Sequence, residues 1–176
     1  AAQGEIVFSD GTTGETVSIL GPPMDTRLVE PTLIEGEWLQ PGDRYTITLN
    51  ENFRSRFPKM KPGDTIRLKM YGQERDWTVR GFFRMAGKSG GYLAYTDFES
   101  LNRETHMANR ASNYRIKSIT KDLDSAGQKE LGSRVEAHLR ARGYQVREVT
   151  PGATLVEYTI DGLNVLTSFL LIMALL

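Results

Sequence analysis

Alternating apolar and polar side chains predict short β-strands in the part of the chain before residue 96. The clearest run is Thr65–Tyr71, where Ile66, Leu68 and Met70 alternate with charged side chains, as in a strand with one buried face. Similar runs bounded by glycine, proline or aspartate predict further strands over 5–8, 16–20, 45–49, 76–83 and 91–95. The first two of these suggest a hairpin, and the runs after residue 30 suggest a β-rich module held by antiparallel pairs.

A helical period replaces this alternation after residue 124. Leu131, Val135 and Leu139 recur at i, i+4 and i+8, so they share one face of a helix. Ser125 and Gln128 have the spacing of a capping box, which predicts where this helix begins. Two shorter helices are predicted among the strands, over 51–57, begun by Asn50, and over 97–102, begun by Asp97.

The segments that flank the long helix alternate again. Residues 114–119 and 145–149 each have the pattern of a strand. With the helix between them they predict a β–α–β unit over 114–149, in which a right-handed crossover is expected if the two strands are parallel.

The C-terminal segment 163–176 has neither alternation nor an apolar face. It carries no charge, and its polar side chains are Asn164, Thr167 and Ser168. A run this short is usually a buried helix, because crossing a bilayer takes about 20 apolar residues. Here the final residues are apolar on every helical face, which favours the start of a transmembrane helix over a core helix or an oligomer contact. The residues predicted to enter the membrane are Leu163, Val165, Leu166, Phe169, Leu170, Leu171 and Ile172.

Composition and charge exclude several functions. The chain has 176 residues, enough for one well-buried domain or two small ones. Lysine plus arginine and aspartate plus glutamate both number 22, so the chain lacks the basic charge that would attract nucleic acid. Cysteine is absent, which excludes disulfides, thiolate catalysis and cysteine-based zinc sites.

Motifs for catalysis or cofactor binding fail on their spacing. Gly87-Lys88-Ser89 resembles the end of a phosphate-binding loop, but the nearest upstream glycine, Gly81, is one residue too far away. The sequence that begins like a calcium loop at Asp122 has no glutamate in its twelfth position. His106 and His138 share no metal-ligand spacing. We therefore expect no catalytic residue, no metal and no cofactor in this chain.

Phe82 and Phe83 are adjacent within a predicted strand. Successive side chains of a strand point to opposite faces, so one of the pair is expected to be exposed. An exposed apolar surface often marks an interaction site, which makes this pair a candidate contact for a partner. The alternative is a strand that is covered on both faces.

Several motifs occur in the order found in a known family. Gly36-Glu37-Trp38-Leu39 precedes Pro41-Gly42-Asp43, and after a predicted strand and short helix come Pro62-Gly63-Asp64 and the segment 77–81. Over nearly its whole length the chain resembles the MacB-like periplasmic core domain of MacB/FtsX-type ABC transporter permeases. The family pattern has arginine at Glu37 and valine at Arg80, departures that leave the pattern of turns unchanged.

The resemblance implies an α+β fold in two parts. A split α/β part of ferredoxin-like, porter type would comprise 1–29 and 112–150, with a β-rich part inserted over 30–111. Together they would make an extracytoplasmic domain over 1–160, and 161–176 would be the truncated start of a transmembrane helix. The first transmembrane helix of the family, and the strand and helix after it, would lie outside this chain.

The resemblance also implies a non-catalytic function at the cell membrane. The domain would lie on the extracytoplasmic side and couple ATP hydrolysis in the cytoplasm to conformational work or substrate handling outside. ATP would bind to a separate or fused ATPase subunit. The expected partners are membrane lipid at the C-terminal helix, that ATPase, and an extracytoplasmic protein or a second copy of the chain. The alternative is a module that binds lipid, peptide or lipoprotein in a groove lined by aromatic residues; an enzyme ranks last.

Overall fold

The computed structural model describes residues 1–85, 91–107, 110–111, 113–119 and 123–175. Within them lie seven strands: β1 Ala2–Val7, β2 Thr13–Leu20, β3 Thr32–Gly36, β4 Thr46–Asn50, β5 Thr65–Met70, β6 Gln73–Arg84 and β7 Tyr92–Thr96. The same residues form four helices: α1 Asn52–Arg56, α2 Phe98–Glu104, α3 Ser125–Ala141 and α4 Gly152–Leu175. The chain divides into two compact units, which we call the strand unit (Ala1–Lys117) and the helix unit (Ser118–Leu176).

The strand unit contains a sheet that closes on itself. Its strand order is β3-β6-β4-β7-β2-β1-β5, and β5 also pairs with the long β6, so six strands form a closed ring with β3 attached outside it. Within the predicted β-rich module three pairs are antiparallel as predicted, β3–β6, β4–β7 and β5–β6, whereas β4–β6 is parallel. The pair β2–β7 is parallel as well. A parallel pair needs a crossover connection, which α1 and β5 supply between β4 and β6.

The interior of the ring is filled with apolar side chains. In β5, the alternation places Ile66, Leu68 and Met70 in the interior, as predicted. Trp77 of β6 and Phe53 of α1 are fully buried beside them. Burying a large apolar side chain contributes about 1.5–3 kcal/mol. The other members of the core are Ala2, Ile6, Val17, Ile19, Ile47, Leu49, Val79, Phe82, Ala94 and Leu101.

The same tight turn occurs twice, at the two copies of the Pro-Gly-Asp sequence. In the first copy the carboxylate of Asp43 accepts a hydrogen bond from the backbone N–H three residues earlier (2.8 Å), and Gly42 has a φ of 95°. In the second copy Asp64 makes the same bond (2.8 Å), and Gly63 has a φ of 93°. Glycine adopts a positive φ at little cost, which explains its place in both turns.

The two short helices lie close to their predicted positions, but one begins differently. Asp97 is the N-cap of α2, where its carboxylate accepts a hydrogen bond from the N–H of Ser100 (2.7 Å). At α1 the N-cap position makes no side-chain hydrogen bond. Asn50 instead donates from its side-chain amide to the carbonyl of Gly91 (2.9 Å), so the prediction that it caps α1 is wrong.

Of the predicted β–α–β unit, the described residues contain the helix but neither strand. The flanking segments 114–119 and 145–149 are irregular, so that prediction is wrong. A strand requires a neighbouring backbone that completes its hydrogen bonds, and no described segment provides one here. Apolar side chains of the first segment are left in solvent: Tyr114 is 81% exposed and Ile119 is 100% exposed.

The structure groups the chain differently from the two parts that the family resemblance implies. β1 and β2 belong to the same closed sheet as β4–β7, because β2 pairs in parallel with β7 and places Val17 opposite Tyr92. Residues 1–29 therefore lie in the strand unit, whereas most of 112–150 lies in the helix unit. The mixed α and β character of the fold is as predicted.

Candidate functional site

The exposed apolar part of α4 is the most distinctive surface of the helix unit. Residues 160–173 are exposed throughout, including Val165 at 71% and Phe169 at 59%. The seven residues predicted to enter a membrane all lie in this stretch: Leu163, Val165, Leu166, Phe169, Leu170, Leu171 and Ile172. Exposed apolar surface costs roughly 25 cal/mol per Å² in water, so this part of α4 is suited to an apolar environment or partner.

This exposure rules out one interpretation of the C-terminal segment. A core helix is buried on at least one side, whereas α4 is exposed on all sides from Ile160 to Met173. The core-helix alternative is therefore wrong. Within the part of the chain that the structure describes, no helix has the combined length and apolarity required to cross a membrane.

Polar side chains hold the start of α4 against α3. Ser125, Gln128 and Lys129 are spaced i, i+3 and i+4 on α3, so they share one face of the helix. Their partners in the first two turns of α4 are the backbone N–H of Ala153 and the carboxylate of Glu157. We call these five residues the α3–α4 contact.

Gln128 connects two backbone groups through its side chain. Its carbonyl oxygen accepts a hydrogen bond from the N–H of Ala153 (2.8 Å), and its amide donates to the carbonyl of Leu123 (3.0 Å). The first N–H groups of a helix have no partner within that helix, so Gln128 satisfies one of them at the start of α4. The bond therefore sets where α4 begins relative to α3.

Glu157 accepts hydrogen bonds from two residues of α3. The ammonium nitrogen of Lys129 lies 2.9 and 3.1 Å from its carboxylate oxygens, and the hydroxyl of Ser125 lies 2.7 Å from one of them. The bond from Lys129, followed by that from Ser125, lowers the pKa of Glu157. The side chains of Lys129 and Glu157 are 51% and 45% exposed, so their ion pair is of the weak, salt-sensitive kind.

A glycine allows the connection between the two helices to lie close to α3. A Cβ atom at Gly132 would lie 3.4 Å from Cγ of Pro151 and 3.6 Å from Cγ1 of Val149. Alanine therefore fits at this position in ordinary contact, whereas a larger side chain would displace the connection. Gly132 lies four residues after Gln128, on the same face of α3.

The capping box predicted at Ser125 and Gln128 is wrong. The N-cap of α3 is Asp124, whose carboxylate accepts a hydrogen bond from the N–H of Gly127 (2.7 Å). Ser125 and Gln128 direct their side chains to α4 instead. The ion pair of Lys129 with Glu157 was not predicted, because it joins residues 28 positions apart and leaves no local pattern. The one local sign of the contact is the polar i, i+3, i+4 spacing on α3.

Phe82 and Phe83 are both buried, so the prediction that one of them is exposed is wrong. Phe82 belongs to the core of the ring, and the guanidinium of Arg54 lies 4.6 Å from its ring centre. Trp38 and Tyr95 pack against Phe83, with ring centres 6.3 and 5.3 Å from it. The strand is covered on both faces, which leaves neither phenylalanine available to a partner.

The filled ring argues against a ligand site in its interior. Two shallow depressions lie on the surface of the strand unit, and the larger has a volume of about 560 Å³. Tyr71 is the aromatic residue at both of them, among small, polar and aliphatic side chains. Neither depression is the groove lined by aromatic residues that the ligand-binding alternative predicts.

Chemistry-bearing residues do not gather into a site in the described part of the chain. Those residues contain no cluster of histidine, aspartate and glutamate that could hold a metal ion. His106 belongs to the strand unit and His138 to the helix unit. The motif Gly87-Lys88-Ser89 lies outside the described residues. So does Asp122, the first residue of the sequence that begins like a calcium loop.

Comparison with known proteins identifies a similar fold. No protein-family model matches the sequence, and neither does any curated protein. The solved periplasmic region of MacB from Actinobacillus actinomycetemcomitans is similar, with a TM-score of 0.59 and 18% sequence identity. The similarity covers 91% of this chain and 72% of that one. The chain thus has a MacB-like periplasmic fold, which confirms the resemblance indicated by the motifs.

Proposed function

We propose that this chain is the extracytoplasmic domain of an ABC transporter permease. The observation that carries the proposal is the structural similarity to the periplasmic region of MacB, which extends over 91% of the chain. In this proposal the domain lies on the outer side of a cell membrane and is not an enzyme. ATP is bound and hydrolysed by a separate or fused ATPase subunit.

α4 is the part of the domain that we assign to the membrane. Its exposed apolar side chains, from Leu163 to Met173, match the chemistry of lipid acyl chains. Its first two turns carry a carboxylate, Glu157, and bind α3 by hydrogen bonds at Ala153 and Glu157. The helix therefore combines an end suited to lipid with an end attached to the folded domain.

The assigned role is mechanical coupling. α4 is continuous over 24 residues. A helix of that length spans about 36 Å, far enough to carry a displacement from the membrane to the domain outside it. ATP hydrolysis in the ATPase would move α4, and α4 would move the outer domain so that it acts on a substrate or partner.

Vesicle flotation tests the assignment of α4 to the membrane. We expect the unchanged chain to float with vesicles of phosphatidylcholine and phosphatidylglycerol. The double variant Leu166→Asp, Leu170→Asp should stay in the dense fraction, because a charge near the centre of a membrane helix costs about 2.5–3.5 kcal/mol. The matched control, Ser133→Asp with Ala137→Asp, adds the same two charges to exposed positions of α3 and should float. Equal flotation of both double variants, or no flotation of the unchanged chain, would overturn the assignment.

Co-purification tests the partner that this function requires. The full natural protein, tagged and extracted from its own membranes, is expected to retain an ABC ATPase subunit, either as a second polypeptide or as part of the same one. The purified complex should hydrolyse ATP. Recovery of the protein from membranes without any associated ATPase would contradict the proposed function.

A further inference from the structure

The hydrogen bonds described between α4 and α3 lie at one end of α4. In the described part of the helix unit, the hydrogen bonds between the two helices reach α4 at Ala153 and Glu157. From Ile160 onward α4 is exposed on all sides. A long helix held at its first two turns changes direction as a whole when those turns are released.

The hydrogen bonds at this end of α4 lie at two separate points along the helix. Gln128 binds the start of the α4 backbone, and Lys129 and Ser125 bind Glu157 one turn later, so two points determine the direction of the helix. The Lys129–Glu157 pair is about half exposed, and salt screens such pairs. A joint made in this way holds one geometry and can open without unfolding either helix.

We propose that the α3–α4 contact is a releasable joint that sets the direction of α4. With the joint closed, α3 and α4 move together; with it open, α4 pivots at the connection that lies against Gly132. The existence of the joint is inferred from the contacts within this chain. Its role in coupling ATP hydrolysis to movement of the domain rests on the proposed function. Displacement of α4 by the rest of the permease is the event that would open it.

A distance measurement between the helices tests the joint. The chain contains no cysteine, so Ala137→Cys on α3 and Asn164→Cys on α4 introduce two spin labels at exposed positions without background. Pulsed electron resonance on the chain in detergent at low salt should give one narrow distance distribution. Gln128→Ala combined with Lys129→Ala should widen it about twofold, since the bond to the start of α4 and the ion pair with Glu157 are both lost and the bond from Ser125 alone remains.

Control variants separate the joint from general damage to α3. Arg134→Ala, an exposed position of the same helix, should leave the distribution unchanged. Lys129→Glu with Glu157→Lys reverses the ion pair and should restore a narrow distribution that either single change widens. Circular dichroism should show the same helix content in all variants. For a variant that loses helix content, 1 M salt added to the unchanged chain is the fallback: it screens the Lys129–Glu157 pair, leaves the bond from Gln128, and should widen the distribution to a smaller extent.

Two outcomes would overturn the joint. One is a distribution that stays narrow in the Gln128→Ala, Lys129→Ala variant with helix content intact. The other is a distribution for the unchanged chain that is already as wide as in that variant. Both are independent of vesicle flotation and ATPase co-purification, so failure of the joint and failure of the proposed function can be told apart.

Discussion

The strand unit and the helix unit differ in how far each buries its own apolar side chains. In the strand unit the ring encloses fully buried residues such as Trp77 and Val79. In the helix unit no residue of α3 is buried, and this includes Leu131 on the predicted apolar face. α4 is exposed from Ile160 to Met173. Hydrophobic burial is thus concentrated in the strand unit, while the helix unit presents apolar surface to its surroundings. A substitution that removes an apolar side chain should therefore cost more stability in the strand unit than in the helix unit.

The largest expected difference is between two phenylalanine-to-alanine changes. Phe82→Ala removes a fully buried ring from the core and should lower the free energy of unfolding by about 3–5 kcal/mol. Phe169→Ala changes an exposed residue of α4 and should alter it by less than about 0.5 kcal/mol. Urea unfolding measures both when it is followed by tryptophan fluorescence, which reports the strand unit through Trp38 and Trp77, and by circular dichroism, which reports the helices. Equal effects would mean that the two units do not differ in burial.

Two glycines with positive φ provide the next comparison. Gly36 has a φ of 76°, and a Cβ atom there would meet the carbonyl oxygen of Arg80 and lie 2.7 Å from Cα of Gly81. Gly36→Ala should therefore cost about 2–4 kcal/mol, from the backbone conformation and the clash together.

Gly143 has a similar φ of 82° but no atom within 4 Å of the added Cβ. Gly143→Ala should cost about 1–2 kcal/mol from its backbone conformation alone. Thermal unfolding of both variants, followed by circular dichroism, measures the difference. A larger loss at Gly143 than at Gly36 would contradict this account of the close packing between β3 and β6.

Removing a helix cap should lower the free energy of unfolding by a smaller amount, and by a similar amount in the two units. Asp97→Ala removes the hydrogen bond to Ser100 at the start of α2, and Asp124→Ala removes the one to Gly127 at the start of α3. Each should lower stability by about 1 kcal/mol, and asparagine at either position should restore most of it. Amide hydrogen exchange resolves the two helices. No change in protection of the first turn of α3 in Asp124→Ala would show that this cap is dispensable.

Acid should weaken the α3–α4 contact, which is the smallest effect expected. The pKa of Glu157 is lowered in the folded state by the hydrogen bonds from Lys129 and Ser125. The stabilisation is therefore present above the ordinary pKa of a glutamate, 4.5, and is lost as the pH falls through the lowered value. The distribution of distances between spin labels at positions 137 and 164 should broaden below pH 4.5. In Glu157→Gln the distribution should not change with pH. Widening that persists in Glu157→Gln would assign the titration to another group.

Strands of the ring that have one buried face and one exposed face, such as β5, could be predicted from alternation, whereas β4 is buried at all five positions. Alternation in Thr65–Met70 encodes such a face, and the structure places the strand as expected. β3 was missed, since all five of its residues are exposed and Pro31 stands directly before it. The parallel pairing of β4 with β6 could not be predicted either, because alternation identifies a buried face but not the neighbouring strand.

The sequence indicated the exposure of the apolar part of α4 but not its attachment to α3, and entry of that part into a membrane stays a prediction. The apolar composition of 163–173 predicts surface that avoids water, and the structure shows it exposed. The attachment of α4 depends on Gln128 and Lys129 meeting residues far along the chain, and the polar i, i+3, i+4 spacing on α3 does not identify those partners. The segments 114–119 and 145–149 show the converse error: alternation was present, but the described residues supply no neighbouring strand.

The central claim is that α4 enters lipid while α3 remains in water, and shielding of a single label tests it most directly. Phe169→Cys and Ala137→Cys each introduce one labelling position into a cysteine-free chain. With an NBD label and vesicles present, dithionite, which does not cross the bilayer, should quench the label at position 137 rapidly. The label at 169 should be protected. Equal, rapid quenching at both positions would contradict the claim.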